Sequence, residues 1–179
     1  MEKYYSIDRR GAYVEGEGLN LLPGRDPDDN AVHAHINRMY PGGFSRHGVQ
    51  YYRDPPPPDP TGANHNSGLL ELLLEATRAA YYPEKPSRFQ SVFAWETLDA
   101  ALKFKVLYAQ AEHPIFELAP QARVHRGDMA IYALNQTIAC IDHRLHLYWQ
   151  GKTLELPGHQ PVWEAVLELP VFVGKTVTP

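Results

Sequence analysis

Residues 161–173 read PVWEAVLELPVFV. Side chains of a β-strand alternate between two faces, so this stretch predicts a strand, a break at Pro170 and a second strand. In the first strand, Ala165 and Leu167 fall on one face, and Glu164 falls on the other face among valines. A carboxylate among valines is partly desolvated, so it needs either a partner or a function. The alternative is an edge-strand glutamate that reaches solvent.

The composition is that of an ordinary globular chain of 179 residues, for which one domain over residues 1–179 is the natural prediction. A net charge of −4 indicates no general attraction to nucleic acid or to anionic membranes, although it leaves room for a local basic patch. The single cysteine, Cys140, excludes an intramolecular disulfide and is predicted to lie in the core. No apolar run approaches the roughly 20 residues that span a bilayer, and the first residues do not resemble a signal peptide, so we expect a cytoplasmic protein.

The predicted helices and strands are mixed without the regular alternation of a doubly wound sheet, which favours the α+β class. Residues 23–66 are rich in Pro, Gly, Asp and Asn and are predicted to form a long irregular loop. Strands are expected at 3–8, 87–95, 115–118 and 143–149. Helices are expected at 69–80 after a Ser67 cap, at 98–109 after a Thr97 cap, and at 128–136 with Asp128 as the cap.

Two further segments place polar groups on a strand or at its end. Residues 86–101, PSRFQSVFAWETLDAA, carry two serines and an arginine on a strand that leads into a helix. Residues 5–10, YSIDRR, put a hydroxyl, a carboxylate and two guanidinium groups at the end of the first strand. Such groups can line a ligand cleft. A polar strand is common, however, and a surface salt bridge is the simpler account of the charged cluster.

Taken in order, the three segments resemble the motifs of the ADP-ribosyltransferase superfamily, the bacterial toxins and vertebrate ecto-enzymes described as Arg…Ser…Glu. Residues 5–10 are similar to the Tyr-Arg-x-Asp-x-Arg strand of pertussis- and cholera-like members. Residues 89–93 match the family's aromatic-Ser-Thr-Ser motif through Ser91. Glu164, followed by apolar residues, a turn with Pro170 and another apolar strand, matches the third motif.

The resemblance covers most of the chain. Residues 96–101 and 115–118 fall where rifamycin-modifying members have a helix and the following strand, and residues 86–91 resemble, more narrowly, an uncharacterised bacterial family. The fold that it implies is a split central β-sheet flanked by helices, with the Pro/Gly-rich loop at 23–66.

Three positions depart from the family's motifs. Ser6 stands where the family has its first arginine or, in other branches, a histidine. Phe93 replaces the last serine of the second motif, or the tyrosine of the histidine-type branch. Val162 stands two residues before Glu164, where arginine-modifying members carry another glutamate, and this argues against an arginine acceptor.

The resemblance also implies a role for each candidate residue, with NAD as co-substrate. Glu164 would bind a ribose hydroxyl and stabilise the oxocarbenium-like sugar, while Ser91 would orient Glu164 or the ribose. With serine at position 6, Arg9 is the first choice for the pyrophosphate, because its planar guanidinium pairs with two oxygens at once; Arg10 and Arg88 are the alternatives. The predicted residues are, for catalysis, Glu164, Ser91 and Arg9; for binding the dinucleotide, Tyr5, Ser6, Asp8, Arg10, Arg88 and Phe93; and facing the acceptor, Gln160 and Trp163.

The function predicted from this resemblance is transfer of ADP-ribose from NAD to an unidentified macromolecular acceptor, either protein or nucleic acid. The alternatives are an NAD glycohydrolase, for which water is the acceptor, and a catalytically degenerate protein that binds without turnover. A role as a bacterial toxin or effector would add an immunity protein as partner and a delivery route without a signal peptide. Histidine pairs such as His33 and His35 lack the spacing of zinc sites, so no metal is expected.

Overall fold

Helices and two antiparallel sheets make up the described structure, so the α+β class is confirmed. It is a computed structural model that describes residues 2–25, 30–55 and 63–177. The strands are β1 (Tyr4–Ile7), β2 (Gly18–Leu19), β3 (Ser91–Ala94), β4 (Ile115–Pro120), β5 (Val124–Asp128), β6 (Trp163–Glu168) and β7 (Val171–Val177). The helices are α1 (Ala31–Met39), α2 (Arg46–Gly48), which continues into a π-helical turn at Val49–Arg53, α3 (Ala63–Tyr81), α4 (Leu98–Tyr108) and α5 (Ile138–Trp149). A 3₁₀ turn at Arg88–Gln90 precedes β3.

The strand, break and strand predicted at residues 161–173 are confirmed as β6, the turn at Pro170 and β7. The two strands belong to different sheets. We call the sheet with order β1-β4-β7-β2 the first sheet and the sheet with order β3-β6-β5 the second sheet. The turn at Pro170 therefore carries the chain from the second sheet into the first.

The two sheets are joined at one point by backbone hydrogen bonds. Tyr5 in β1 and Trp95, directly after β3, each donate a backbone N–H to the other's carbonyl at 2.8 Å. This bridge brings the end of β1 next to the end of β3. The first and second polar segments of the sequence are thereby placed side by side.

The main core lies between the two sheets. Ala165 and Leu167 of β6 are fully buried there, against residues of β1, β4 and β7. The opposite face of β6 carries Glu164 and Val166, and Val166 packs against α3 and α5. The alternation predicted for β6 is therefore confirmed, and Glu164 lies on the face that the helices cover.

Helix α4 confirms the predicted cap at Thr97, whose hydroxyl accepts a hydrogen bond from the backbone N–H of Ala100. Buried Ala101 packs the helix against Ile7 of β1 and Ile115 of β4. None of the helices in the described ranges combines the length and the apolar character needed to cross a bilayer.

The prediction of one irregular loop at 23–66 is wrong for much of that segment, which contains α1, α2 and the beginning of α3. Asn30 caps α1 through its side chain, and Ser45 caps α2. Packing of Phe44 against Phe89 then attaches the segment to the rest of the chain. Residues 26–29 and 56–62 of this segment, including four of the five prolines at 55–60, lie outside the described residues.

The predictions for residues 128–149 and for the first cap are also wrong. The predicted strand at 143–149 is part of α5, because Thr137 caps a helix and Leu145, Tyr148 and Trp149 are buried at helical spacing. Cys140 is exposed on the first turn of that helix. Asp128 ends strand β5 instead of capping a helix. Helix α3 begins before Ser67, at Ala63.

Candidate functional site

A cavity of about 280 Å³ opens where β1 of the first sheet meets β3 of the second. Its lining includes three distant segments, namely the end of β1, the residues around β3 and the start of β6, together with residues between 45 and 51 and Glu71 of α3. The predicted site residues that line it are Ser6, Asp8, Arg9, Arg10, Arg88, Ser91, Phe93 and Glu164. The volume is near the lower end of the roughly 300–1,000 Å³ typical of ligand pockets.

Glu164 is the buried carboxylate of this cavity, with 5% of the residue exposed. Its Oε1 accepts hydrogen bonds from Arg88 at 2.7 Å, from the hydroxyl of Tyr148 at 2.9 Å and from the hydroxyl of Tyr132 at 3.3 Å. Its Oε2 accepts none from the residues that the structure describes. One oxygen therefore holds the carboxylate in place, and the other can accept a hydrogen bond from a ligand.

Arg88 lies between two carboxylates and is 2% exposed. Its Nε and Nη2 donate to the two oxygens of Glu71 at 2.7 and 2.8 Å, while Nη1 donates to Glu164 and to Tyr148. Burial alone would lower the pKa of Arg88, but Glu164 and Glu71 raise it well above its ordinary value, so the guanidinium stays charged. Its contact with a dinucleotide stays a prediction, and its partners favour a role in holding Glu164.

Glu71 comes from α3 and was not among the predicted site residues. It lines the cavity, is buried, and its Oε2 lies 3.1 Å from Nε2 of His47. Burial alone would raise the pKa of Glu71, but Arg88 and His47 lower it below its ordinary value. Glu71 is therefore ionised at neutral pH, and one guanidinium faces two carboxylates.

Tyr148 can reach Glu164 because position 127 has no side chain. Gly127 of β5 pairs with Glu164 of β6, and a Cβ atom at Gly127 would lie only 2.2 Å from Cε2 of Tyr148. Burial raises the pKa of Tyr148 well above its ordinary value. The hydroxyl therefore stays protonated and serves as a hydrogen-bond donor to the carboxylate.

Ser6, which stands where the resemblance expects arginine, links the two sheets beside the cavity. Its hydroxyl donates to the carbonyl of Phe93 at 2.7 Å and shares a 3.0 Å hydrogen bond with the hydroxyl of Tyr13. Burial raises the pKa of Tyr13 to about 12, so that hydroxyl is neutral at ordinary pH. Asp8, also buried, accepts hydrogen bonds from the backbone N–H groups of Arg10 and Tyr13 at 3.1 and 2.8 Å.

Three exposed arginines line the cavity, and we call Arg9, Arg10 and Arg46 the arginine rim. No carboxylate of the described residues forms an ion pair with any of them; Arg10 donates instead to the side-chain oxygen of Gln50. The whole chain carries a net charge of −4. The rim is therefore a local cluster of positive charge, of a kind that can attract an anionic ligand.

Ser91 is buried and lines the cavity on the same face of the second sheet as Glu164. Its hydroxyl donates to the carbonyl of Ser87 at 2.6 Å. The predicted hydrogen bond between Ser91 and Glu164 is wrong, because the register pairs Ser91 with Glu168, four residues further along β6. A contact between Ser91 and a ribose stays a prediction.

Three predicted residues do not line the cavity. Tyr5 serves the backbone bridge to Trp95 and packs beside it. Trp163 is half-buried, with the guanidinium of Arg126 3.7 Å from the centre of its ring. Gln160 is exposed on the segment before β6. The roles of Gln160 and Trp163 toward an acceptor stay predictions.

The segment at residues 150–162, which leads to Glu164, is anchored by Asp128. This fully buried carboxylate accepts hydrogen bonds from the hydroxyl of Thr153 at 2.5 Å, from Nε2 of His159 at 2.8 Å and from the backbone N–H of Val162 at 2.8 Å. Burial alone would raise the pKa of Asp128, but these donors lower it below its ordinary value. The end of β5 therefore fixes the chain two residues before Glu164.

The site residues missed from the sequence are Glu71, Tyr132, Tyr148, His47 and Arg46. Only Glu71 left a signal, because residues 69–76 read LLELLLEA and place a carboxylate on an apolar helix, where it needs a cation. Tyr148 was hidden by the wrong assignment of α5 to a strand. In the described ranges, no group of three His, Cys, Asp or Glu side chains could hold a metal ion.

Comparison with known proteins defines a family but no activity. A search of curated proteins finds no match to the chain. A family model matches residues 63–177, the part that contributes Glu71, Arg88 and Glu164 to the cavity and Tyr148 as a hydrogen-bond donor to Glu164. The chain belongs to the family described as "Protein of unknown function (DUF2441)".

Proposed function

We propose that this protein is an NAD-dependent mono-ADP-ribosyltransferase that transfers ADP-ribose to a macromolecular acceptor. The observation that carries the proposal is the convergence of three distant segments on one cavity, with the buried carboxylate of Glu164 facing it. These are the segments whose motifs resemble the superfamily. Ser6 to Arg10, Arg88 to Phe93 and Glu164 are separated by many residues in the chain but share one lining.

The free oxygen of Glu164 fits the chemistry of this transfer. The bond between ribose C1′ and the nicotinamide nitrogen breaks, its electron pair leaves with nicotinamide, and positive charge develops on the ribose. A nucleophile of the acceptor then bonds to C1′ and loses its proton. Oε2 of Glu164 would accept a hydrogen bond from a ribose hydroxyl and stabilise the developing charge, while Oε1 stays bound to Arg88 and the two tyrosines.

The charge and the aromatic lining of the cavity support the binding of a dinucleotide. The arginine rim supplies guanidinium groups that no carboxylate of the described chain occupies, and these suit a pyrophosphate. Phe93, Tyr132 and Trp95 line the cavity and offer aromatic faces to a nicotinamide ring. Because Arg88 is hydrogen-bonded to two carboxylates, the arginine rim would bind the pyrophosphate in its place.

The fold is compatible with the proposal. Two antiparallel sheets joined at Tyr5 and Trp95, with helices covering the outer face of the second, support the proposal, because the resemblance implies a split central sheet flanked by helices. The nature of the acceptor, and a role as toxin or effector with an immunity protein, rest on the resemblance alone.

A catalytically degenerate binding protein is the second candidate, and two observations favour it. Arg88 contacts Glu164 directly at 2.7 Å, and this pairing reduces the negative charge that Glu164 offers to a cationic sugar. The presence of Ser6 in place of the family's arginine points the same way.

The test is release of nicotinamide from NAD by the purified chain, with and without protein or nucleic-acid acceptors. We expect Glu164→Gln to lower turnover by about a hundredfold or more while the thermal unfolding curve stays cooperative. Glu168→Gln is the matched control, because Glu168 lies on the same face of β6, pairs with Arg123 and does not line the cavity.

Each outcome selects one candidate. Release that needs an acceptor supports the transferase, and equal release without one identifies a glycohydrolase. NAD binding without release identifies the degenerate protein. Unchanged turnover in Glu164→Gln removes Glu164 from the mechanism.

A further inference from the structure

We propose that Glu71 is a positioning residue, which acts through Arg88 to fix the carboxylate of Glu164 and to offset the positive charge of that arginine. The inference rests on the proposed function and deepens it. Nothing in the motifs of the sequence assigns Glu71 a part in the site.

The geometry of the cluster makes Glu71 the group that orients Arg88. Two parallel hydrogen bonds, of 2.7 and 2.8 Å, join Nε and Nη2 of Arg88 to the two carboxylate oxygens of Glu71. Such a bidentate pair fixes the plane of the guanidinium. The remaining nitrogen, Nη1, is then aimed at Oε1 of Glu164, 2.7 Å away.

The position of Glu71 is itself fixed by packing between helices. Leu74, one turn further along α3, is fully buried, and its carbonyl accepts a 2.8 Å hydrogen bond from the indole of Trp149 in α5. Helix α5 also supplies Tyr148, the second donor to Glu164. The same helix pair therefore positions Tyr148 directly and Arg88 through Glu71, and these are two of the three donors to Oε1 of Glu164.

The charge balance explains why a second carboxylate is needed. Arg88 beside Glu164 alone would form a neutral pair, which stabilises a cationic sugar weakly. With Glu71 ionised, Arg88 faces two carboxylates instead of one, so its positive charge is shared between Glu71 and Glu164. The negative charge that Glu164 keeps becomes most favourable as the bond to nicotinamide breaks, so Glu71 affects the transition state more than the binding of NAD.

The competing explanation is an ion pair that only stabilises the fold. Glu75 provides the matched control, because it lies one turn along the same helix, is buried to a similar extent and pairs with Arg78 at 2.9 Å. It does not line the cavity. A purely structural role would give Glu71→Gln and Glu75→Gln the same effects.

The experiment measures nicotinamide release against NAD concentration, together with thermal unfolding, for the full chain and its Glu71→Gln, Glu71→Asp and Glu75→Gln variants. We expect Glu71→Gln to lower kcat by about tenfold to a hundredfold with KM for NAD unchanged within about twofold. Glu71→Asp keeps the charge and should give an intermediate kcat. Glu75→Gln should change neither constant by more than about twofold, whatever its unfolding temperature.

Equal kcat in wild type and Glu71→Gln, a rise in KM alone, or equal losses of kcat in Glu71→Gln and Glu75→Gln would each overturn the inference and leave the proposed function standing. If Glu71→Gln does not fold, Glu71→Asp decides, because wild-type kcat in that variant also overturns it. Absence of nicotinamide release from the wild-type chain overturns the proposed function and this inference together.

Discussion

Replacement of Gly127 by alanine tests how the donors around Glu164 are packed. Gly127 faces Glu164 across β5 and β6, and the ring of Tyr148 occupies the space where a side chain would lie. An added Cβ would meet Cε2 of Tyr148 at 2.2 Å and Cδ2 and Cζ at 2.6 Å. Ordinary van der Waals contact begins near 3.4 Å, so the ring must move by about 1 Å.

The cost of that movement follows from two contributions. Overpacking a filled core costs about 1–3 kcal/mol. Displacement of the hydroxyl from Glu164 and Arg88 removes hydrogen bonds between buried groups, at about 1–3 kcal/mol for a group left without a partner. We expect Gly127→Ala to lower the free energy of unfolding by about 3 kcal/mol, which is roughly 6–12 °C in Tm for a chain of this size. Nicotinamide release should fall as well.

Denaturant unfolding of Gly127→Ala in the wild-type, Tyr148→Phe and Tyr148→Ala backgrounds tests whether the ring of Tyr148 causes the loss of stability. In the Tyr148→Phe background the ring remains, so the overpacking cost should persist. In the Tyr148→Ala background the space is open, so the same substitution should cost less than about 0.5 kcal/mol. Gly18→Ala is the control for an unhindered strand glycine, since its nearest neighbour is an Asn20 side-chain atom at 3.5 Å. An equal cost of Gly127→Ala in all three backgrounds would refute the steric explanation.

Two further predictions concern pH and ligand charge. Burial lowers the pKa of His125 to about 4 from an ordinary value near 6.5, so between these values the unfolded chain binds a proton that the folded chain does not. The free energy of unfolding should therefore fall by up to ~2 kcal/mol from pH 7 to pH 5, which lies above the range in which carboxylates titrate. The variant His125→Gln should show a weaker dependence of this free energy on pH. An unchanged dependence would show that His125 is not its source. Arg46→Gln should raise KM for NAD about fivefold at low salt and less at high salt, with kcat unchanged. The control is Arg38→Gln, which replaces an exposed arginine of α1 outside the cavity and should leave KM unchanged. Equal effects of the two substitutions would remove Arg46 from the ligand site.

The sequence was sufficient for the parts of the fold that one strong local pattern determines. Strands β6 and β7 could be predicted because the alternation of Ala165 and Leu167 against Glu164 has a single interpretation and Pro170 marks the break. The cap of α4 at Thr97 was equally local. Residues 143–149 were misread because Leu145, Leu147 and Trp149 satisfy both a period of two and a helical stripe, and packing against α3 decided between them.

The candidate site was predictable only in its outline. Burial of Glu164 followed from its valine neighbours, and the resemblance brought in Arg88 and Ser91. Neither the valine neighbours nor the resemblance predicted that Arg88 pairs with Glu71 and Glu164, because these residues lie 17 and 76 residues away in the chain. Contacts over such separations depend on how the sheets and helices are assembled. The small residue that makes room for Tyr148 gave no signal, since a strand glycine has many explanations.

The anchoring of residues 150–162 by Asp128 has a consequence for how the surface of this segment can vary. The attachment points are Thr153, His159 and Val162, while residues 155–158 between them are exposed and Leu156 is 58% exposed. Substitutions at residues 155–157 change the exposed surface without disturbing the attachment points on either side, whereas Gly158 has a φ of 83°, which other residues rarely adopt. Sequence changes at these exposed residues should therefore leave the position of the Glu164 carboxylate unchanged.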